Sequence, residues 1–134
     1  MLRSNEKVVL AYVEAFNRWD IEGLCRLFTP DALIYGVFGW GPLKKIQPIW
    51  AELFESFQIQ LEVESILEEG DAVAMRYVER GTSVKPFRGK PATGRPYEII
   101  AMEWFELKGG LIHRRWGARD MASQFKQMGL PLDL

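Results

Sequence analysis

Apolar positions recur along this chain at two periods, three to four over its first half and two over its second. Val9, Tyr12, Val13, Phe16 and Trp19 make one stripe at helical spacing behind Ser4, a plausible N-cap. Asp20 opens a second, short helix with Ile21, Leu24, Cys25 and Phe28 on its inner face, and Thr29-Pro30-Asp31 stops it. Residues 32–38 are branched and aromatic and read as a strand, in which Gly36 suggests a bend or a close backbone approach. Residues 39–42 read as a turn. Ile46, Ile49, Trp50, Leu53, Phe54 and Phe57 then give the clearest helical stripe, placed from near Gln47 so that Pro48 falls in the first turn.

From Ile59 onward the period is two. Strands are predicted at 58–68, 72–82, 97–107 and 111–120, with tight turns at 69–71 and 108–110 and a Gly/Pro-rich loop over 86–96. Residues 121–128 form a terminal helical turn closed by Gly129. The order is helix, helix, strand, helix, then four strands in consecutive hairpins. That is an α+β arrangement with helices on one face of an antiparallel sheet. No repeat, linker or low-complexity tract interrupts it, so one domain over 1–134 is expected, with a conical cavity between a curled sheet and its helices.

The last strand carries the most suggestive chemistry. Ile112, Arg114, Trp116, Ala118 and Asp120 fall on its even face, and Leu111, His113, Arg115, Gly117 and Arg119 on its odd face. Asp120 has two readings: a proton carrier at the edge of an apolar lining, with its pKa raised, or an N-cap of the following helical turn.

Composition narrows the function classes. The chain has 134 residues, 48% hydrophobic and 26% charged, which suits a folded domain rather than a disordered segment. A net charge of -1 gives no electrostatic basis for nucleic-acid binding. The single cysteine, Cys25, and single histidine, His113, argue against a disulfide and against a zinc site. No apolar segment approaches the length of a membrane span and no secretory signal is visible, so a cytoplasmic protein is expected. An aromatic content of 13% exceeds what a small core uses easily and suggests a lined pocket.

Three segments carry a resemblance. The first runs from Phe16-Asn-Arg-Trp-Asp20 to Phe28-Thr-Pro-Asp31; the second is Arg80-Gly-Thr-Ser-Val-Lys-Pro-Phe-Arg-Gly-Lys-Pro-Ala-Thr-Gly94. The third is Trp116, Asp120 and Gln127-Met-Gly129, in the pattern W-x-x-x-D followed by Q-L-G. In this order they resemble the SnoaL-like polyketide cyclases of the nuclear transport factor 2-like superfamily, cystatin-like α+β barrels in which a curved sheet wraps N-terminal helices. The resemblance implies a cofactor-independent enzyme in which Asp120 is general acid/base for an aldol-type ring closure of a hydrophobic, carbonyl-bearing ligand. It implies a homodimer as well. The pattern departs from the family at Ser83, where a His is usual, at Lys85-Pro86, at Glu106 and at His113.

Other candidates follow from position. Tyr12, Tyr35 and Trp40 come from elements expected to roof the cavity, and Trp104 and Trp116 from its strands; Arg76, Glu106 and His113 complete the expected substrate contacts. If Trp104 faces the cavity, Glu98 or Glu106 becomes a second acid, as hydrolysis or isomerisation would use. An arginine, Arg76 or Arg114, beside Asp120 would instead depress its pKa and suit a non-catalytic binding protein or an inactive relative. Lys85, Arg88, Lys90 and Arg95 make the 86–96 loop and its flanks basic.

Overall fold

A computed structural model describes residues 4–133. Its elements are α1 (Ser4–Asn17), α2 (Ile21–Cys25), β1 (Phe28–Gly36), β2 (Gly39–Pro42), α3 (Leu43–Phe57), β3 (Gln60–Glu69), β4 (Ala72–Thr82), β5 (Pro96–Lys108), β6 (Leu111–Arg119) and α4 (Met121–Met128). The six strands form one sheet in the order β2-β1-β6-β5-β4-β3. Neighbours run antiparallel except β1 and β6, which pair in parallel and bring the first strand beside the last. Helices packed on such a sheet make the α+β class.

Three local expectations are corrected. β1 begins at Phe28, so Thr29-Pro30-Asp31 lies inside a strand. Residues 39–42 are a strand, paired with β1 from Leu33↔Pro42 to Gly36↔Gly39. α3 starts at Leu43 behind the extended Pro42, leaving Pro48 in the second turn, where the helix forgoes one backbone bond.

The core lies between the helices and the concave sheet face. α1 contributes Val9, Tyr12 and Phe16, α3 contributes Trp50, Phe54 and Phe57, and β5 presents Tyr97, Ile99, Ala101, Phe105 and Leu107. Along β5 burial alternates strictly, odd positions in and even positions out. The pairing of β5 with β6 shifts by one residue between Leu107↔Ile112 and Glu106↔Arg114. β6 therefore carries an extra residue at His113, and the bulge reverses its parity. Ile112 is buried on the concave side, and past the bulge that side belongs to Arg115, Gly117 and Arg119, opposite Phe105, Glu103 and Ala101. Unbroken alternation over 111–120 would have put Trp116 there.

Candidate functional site

The concave face and α1, α3 and α4 enclose a cavity with apolar walls, including Phe16, Ile34, Ile46, Trp50 and Phe125. Its volume is about 80 Å³.

Its floor is charged. Arg115 donates Nε–H and pairs Nη2 with Glu103 on β5, and Tyr12 Oη donates to the same Glu103 oxygen at 3.2 Å. Arg119 pairs through Nη2 with Glu79 on β4, and Tyr97 Oη donates to that Glu79 oxygen at 2.5 Å. Gln124, from α4, accepts from Arg119 Nη2 at 3.3 Å. Glu79, Glu103 and Gln124 are only 2%, 3% and 1% exposed. Two carboxylates and two guanidiniums leave the cluster without net charge, which is how charged groups persist at this depth. Burial alone would lower the Arg115 and Arg119 pKa values, but the facing Glu103 and Glu79 outweigh it and hold both up. Burial, reinforced by the same glutamates, pushes the Tyr12, Tyr77 and Tyr97 phenols up. Three buried atoms of this cluster meet no partner at hydrogen-bond geometry among the described residues: Glu103 Oε2, Arg119 Nε and Gln124 Nε2.

Of the residues expected at the ligand, the structure brings Tyr12 to the cavity and sends the others elsewhere. Trp104 and Trp116 are cross-strand partners on the convex face, and Trp116 continues through Trp40 to Tyr35, with ring centres 5.4 and 5.2 Å apart. Arg76 pairs with Glu64 at 3.0 Å on that face, and Glu106 accepts from Trp104 Nε1 at 3.3 Å. Glu98 is outside too, paired with Arg80. These outward positions follow from β5's even face being convex and from the parity reversal at His113. His113 itself stands at the bulge, with Nδ1 3.1 Å from Thr29 Oγ1 and 3.6 Å from Asp31.

Asp120 is the N-cap of α4. Its carboxylate is exposed and accepts from Ser123 N and Oγ at 3.0 and 2.7 Å. Those two bonds hold its pKa below the ordinary carboxylate value, as the N-cap reading has it and against the raised value of the proton-carrier reading. No arginine does this: Arg76 is engaged with Glu64, and Arg114 donates to the His113 carbonyl at 2.8 Å. Ser83 is buried and structural, with Oγ accepting from Thr93 N at 3.0 Å to pin the 86–96 loop. Lys85 before that loop and Arg88 within it pair with Glu55 and Glu52 of α3.

Glu79, Glu103, Arg115, Arg119 and Gln124, the polar residues of this cluster, are not among the residues expected from spacing. A signal for two of them was present. Tyr97, Ile99, Ala101, Phe105 and Leu107 make an apolar face broken by Glu103 alone, and Glu79 interrupts the Val73, Met75, Tyr77 face in the same way. A lone acid on a buried strand face demands a partner. Among the described residues no three His, Cys, Asp or Glu stand together as a metal set, and no helix is long and apolar enough to cross a membrane.

The family model for SnoaL-like polyketide cyclase matches residues 6–128. Among solved structures, AclR from Streptomyces galilaeus, a proposed hydroxylase, is 27% identical with a TM-score of 0.85, over 95% of this chain and 97% of its own. IdmH from Streptomyces antibioticus, a proposed polyketide cyclase, is 28% identical with a TM-score of 0.82, over 96% and 100%. A proposed polyketide cyclase from Xanthomonas campestris pv. campestris shares the fold at a TM-score of 0.86 and 21% identity, over 93% and 96%. None of the curated proteins matches the chain. A family match across nearly the whole length, on a curved sheet wrapped over helices, makes this chain a member of the SnoaL-like polyketide cyclase family.

Proposed function

We propose that this protein is a cofactor-independent enzyme that binds a flat, apolar, carbonyl-bearing molecule in the cavity and moves a proton at the carbon beside the carbonyl. The observation that carries the reading is the charged floor under apolar walls: Arg115 and Arg119 line the cavity, each preorganised by a buried glutamate. Fixed donors of this kind stabilise the oxyanion that forms as the proton leaves. Asp120, assigned the proton by family resemblance, stands between Arg119 and Met121, two residues of the lining. To act, its carboxylate must leave Ser123.

The test uses β-tetralone in deuterated buffer, with exchange at its α-carbon followed by proton NMR. Exchange accelerated by wild type and abolished in Asp120→Asn supports the reading. Exchange no faster than in buffer contradicts it.

A specific observation favours a second reading, a ligand-binding member of the fold without turnover. Asp120 is satisfied as a cap with a depressed pKa, and both buried acids are paired with arginine. Probe binding without exchange is its signature. Pairing of two copies through the convex face suits either reading, because Ile100, Met102, Trp104 and Leu67 are exposed there by 47–69%.

A further inference from the structure

The unpartnered atoms differ in kind, and two of them belong to residues hydrogen-bonded to each other where β6 passes into α4. Arg119 spends Nη2 on Glu79 and on Gln124 Oε1. That second bond fixes the orientation of the Gln124 amide: its oxygen faces the guanidinium, so Nε2 is left as a donor. Arg119 Nε and Gln124 Nε2 are both buried and meet no acceptor at hydrogen-bond geometry among the described residues, the Gln124 amide lying beside the Tyr97 hydroxyl and lowering its pKa without closing such a bond, and both residues line the cavity. Glu103, which owns the third unpartnered atom, is not part of that lining. A buried donor left unspent costs desolvation and gains nothing, so two at one corner of a cavity with apolar walls mark a place for an acceptor.

We infer that Arg119 Nε–H and Gln124 Nε2–H together hold one oxygen of the ligand, the sp² oxygen of a ketone on a flat apolar group. A carbonyl oxygen offers two lone pairs and takes two donors at once. A ketone suits the corner better than a carboxylate, because Glu79 already neutralises Arg119 and the cluster has no charge to spare. The inference rests on the cavity being the ligand site and assigns Gln124 a specificity role there, independent of what carries the proton.

Three probes of one shape separate the possibilities: acetylnaphthalene, its carboxylate analogue naphthoate, and ethylnaphthalene, which has no acceptor. Binding is measured by calorimetry on wild type and Gln124→Met. Acetylnaphthalene is expected to bind wild type about tenfold more tightly than ethylnaphthalene, as one buried hydrogen-bonded oxygen warrants. In Gln124→Met that preference falls toward parity while ethylnaphthalene binding holds. Tighter binding of naphthoate than of acetylnaphthalene overturns the ketone assignment, leaving an anionic oxygen at the two donors. Equal binding of all three to wild type overturns the two-donor site while leaving the cavity as the ligand site. Binding of none overturns the cavity reading and this inference with it. Should Gln124→Met not fold, the wild-type Gln124 side-chain amide resonance decides: it moves downfield with acetylnaphthalene and not with ethylnaphthalene, and the absence of that difference counts against the site.

Discussion

Arg115 folds back across Gly117, its neighbour two residues along β6. A Cβ built on Gly117 would stand 2.8 Å from Arg115 Nη2 and 3.1 Å from its Cζ, so the missing side chain is what lets the guanidinium reach Glu103. Gly117→Ala is expected to push Arg115 off its buried partner and destabilise the protein by about 1–3 kcal/mol, the usual cost of overpacking. Urea unfolding reads this as a lower midpoint at unchanged slope. An unchanged midpoint would mean that Arg115 does not depend on that space.

The second buried pair gives a sharper contrast. Arg119→Met strands Glu79 without its cation and should cost roughly 3–5 kcal/mol, whereas the double variant Glu79→Met/Arg119→Met removes both charges and should cost less than Arg119→Met alone. A double-mutant cycle in urea checks it. Additive losses would mean that the two groups are not energetically coupled.

Asp120→Ala should lower the melting temperature at neutral pH by removing the α4 cap, and Asp120→Asn should lower it less, because Asn also caps. The Asp120 pKa is depressed in the folded protein, so its contribution is present above the unfolded value of about 3.9 and fades as pH falls through the folded one. The gap between wild type and Asp120→Ala should therefore narrow in acid. A gap that widened there would reverse the sign of the shift and restore a desolvated acid.

The phenols supply the alkaline counterpart. Tyr12, Tyr77 and Tyr97 keep their protons in the fold beyond the ordinary tyrosine value of about 10, while in the unfolded chain they ionise there. Stability from these groups is complete below that value and is lost as pH rises past it. Ultraviolet titration should show these three ionising only together with unfolding; titration of all three in the native protein would contradict their burial.

Most of the fold was legible because burial alternates cleanly. Along β5, odd residues point in and even residues out, as the spacing of Tyr97, Ile99, Phe105 and Leu107 indicates. β2 was not legible, since four residues with two glycines and a proline look like a turn until Gly36 and Tyr35 pair with them. The expected contacts Arg76, Trp104, Glu106 and Trp116 lie on the face opposite the cavity for a related reason. One bulged residue, His113, moves Trp116 outward and Arg115 inward, and nothing in local periodicity announces a bulge. The family resemblance supplied Asp120, but the buried floor came from long-range pairing of β4, β5 and β6, which spacing within one strand does not contain.

The convex face tests whether those outward aromatics serve association. Met102 and Trp104 are 56% and 47% exposed, and Trp104→Glu should convert a dimer to a monomer in sedimentation with no change in melting of the monomeric fold. A wild-type monomer at micromolar concentration would contradict pairing through this face.

Where a ligand sits decides between the two faces of the sheet. Ile34, Ile46 and Ile49 line the cavity, whereas Ile100 is 57% exposed on the opposite face among the displaced aromatics. Methyl NMR of isoleucine-labelled protein titrated with acetylnaphthalene should shift the first three and leave Ile100 in place. Movement of Ile100 with the cavity methyls unmoved would put the binding surface on the convex side and contradict the account.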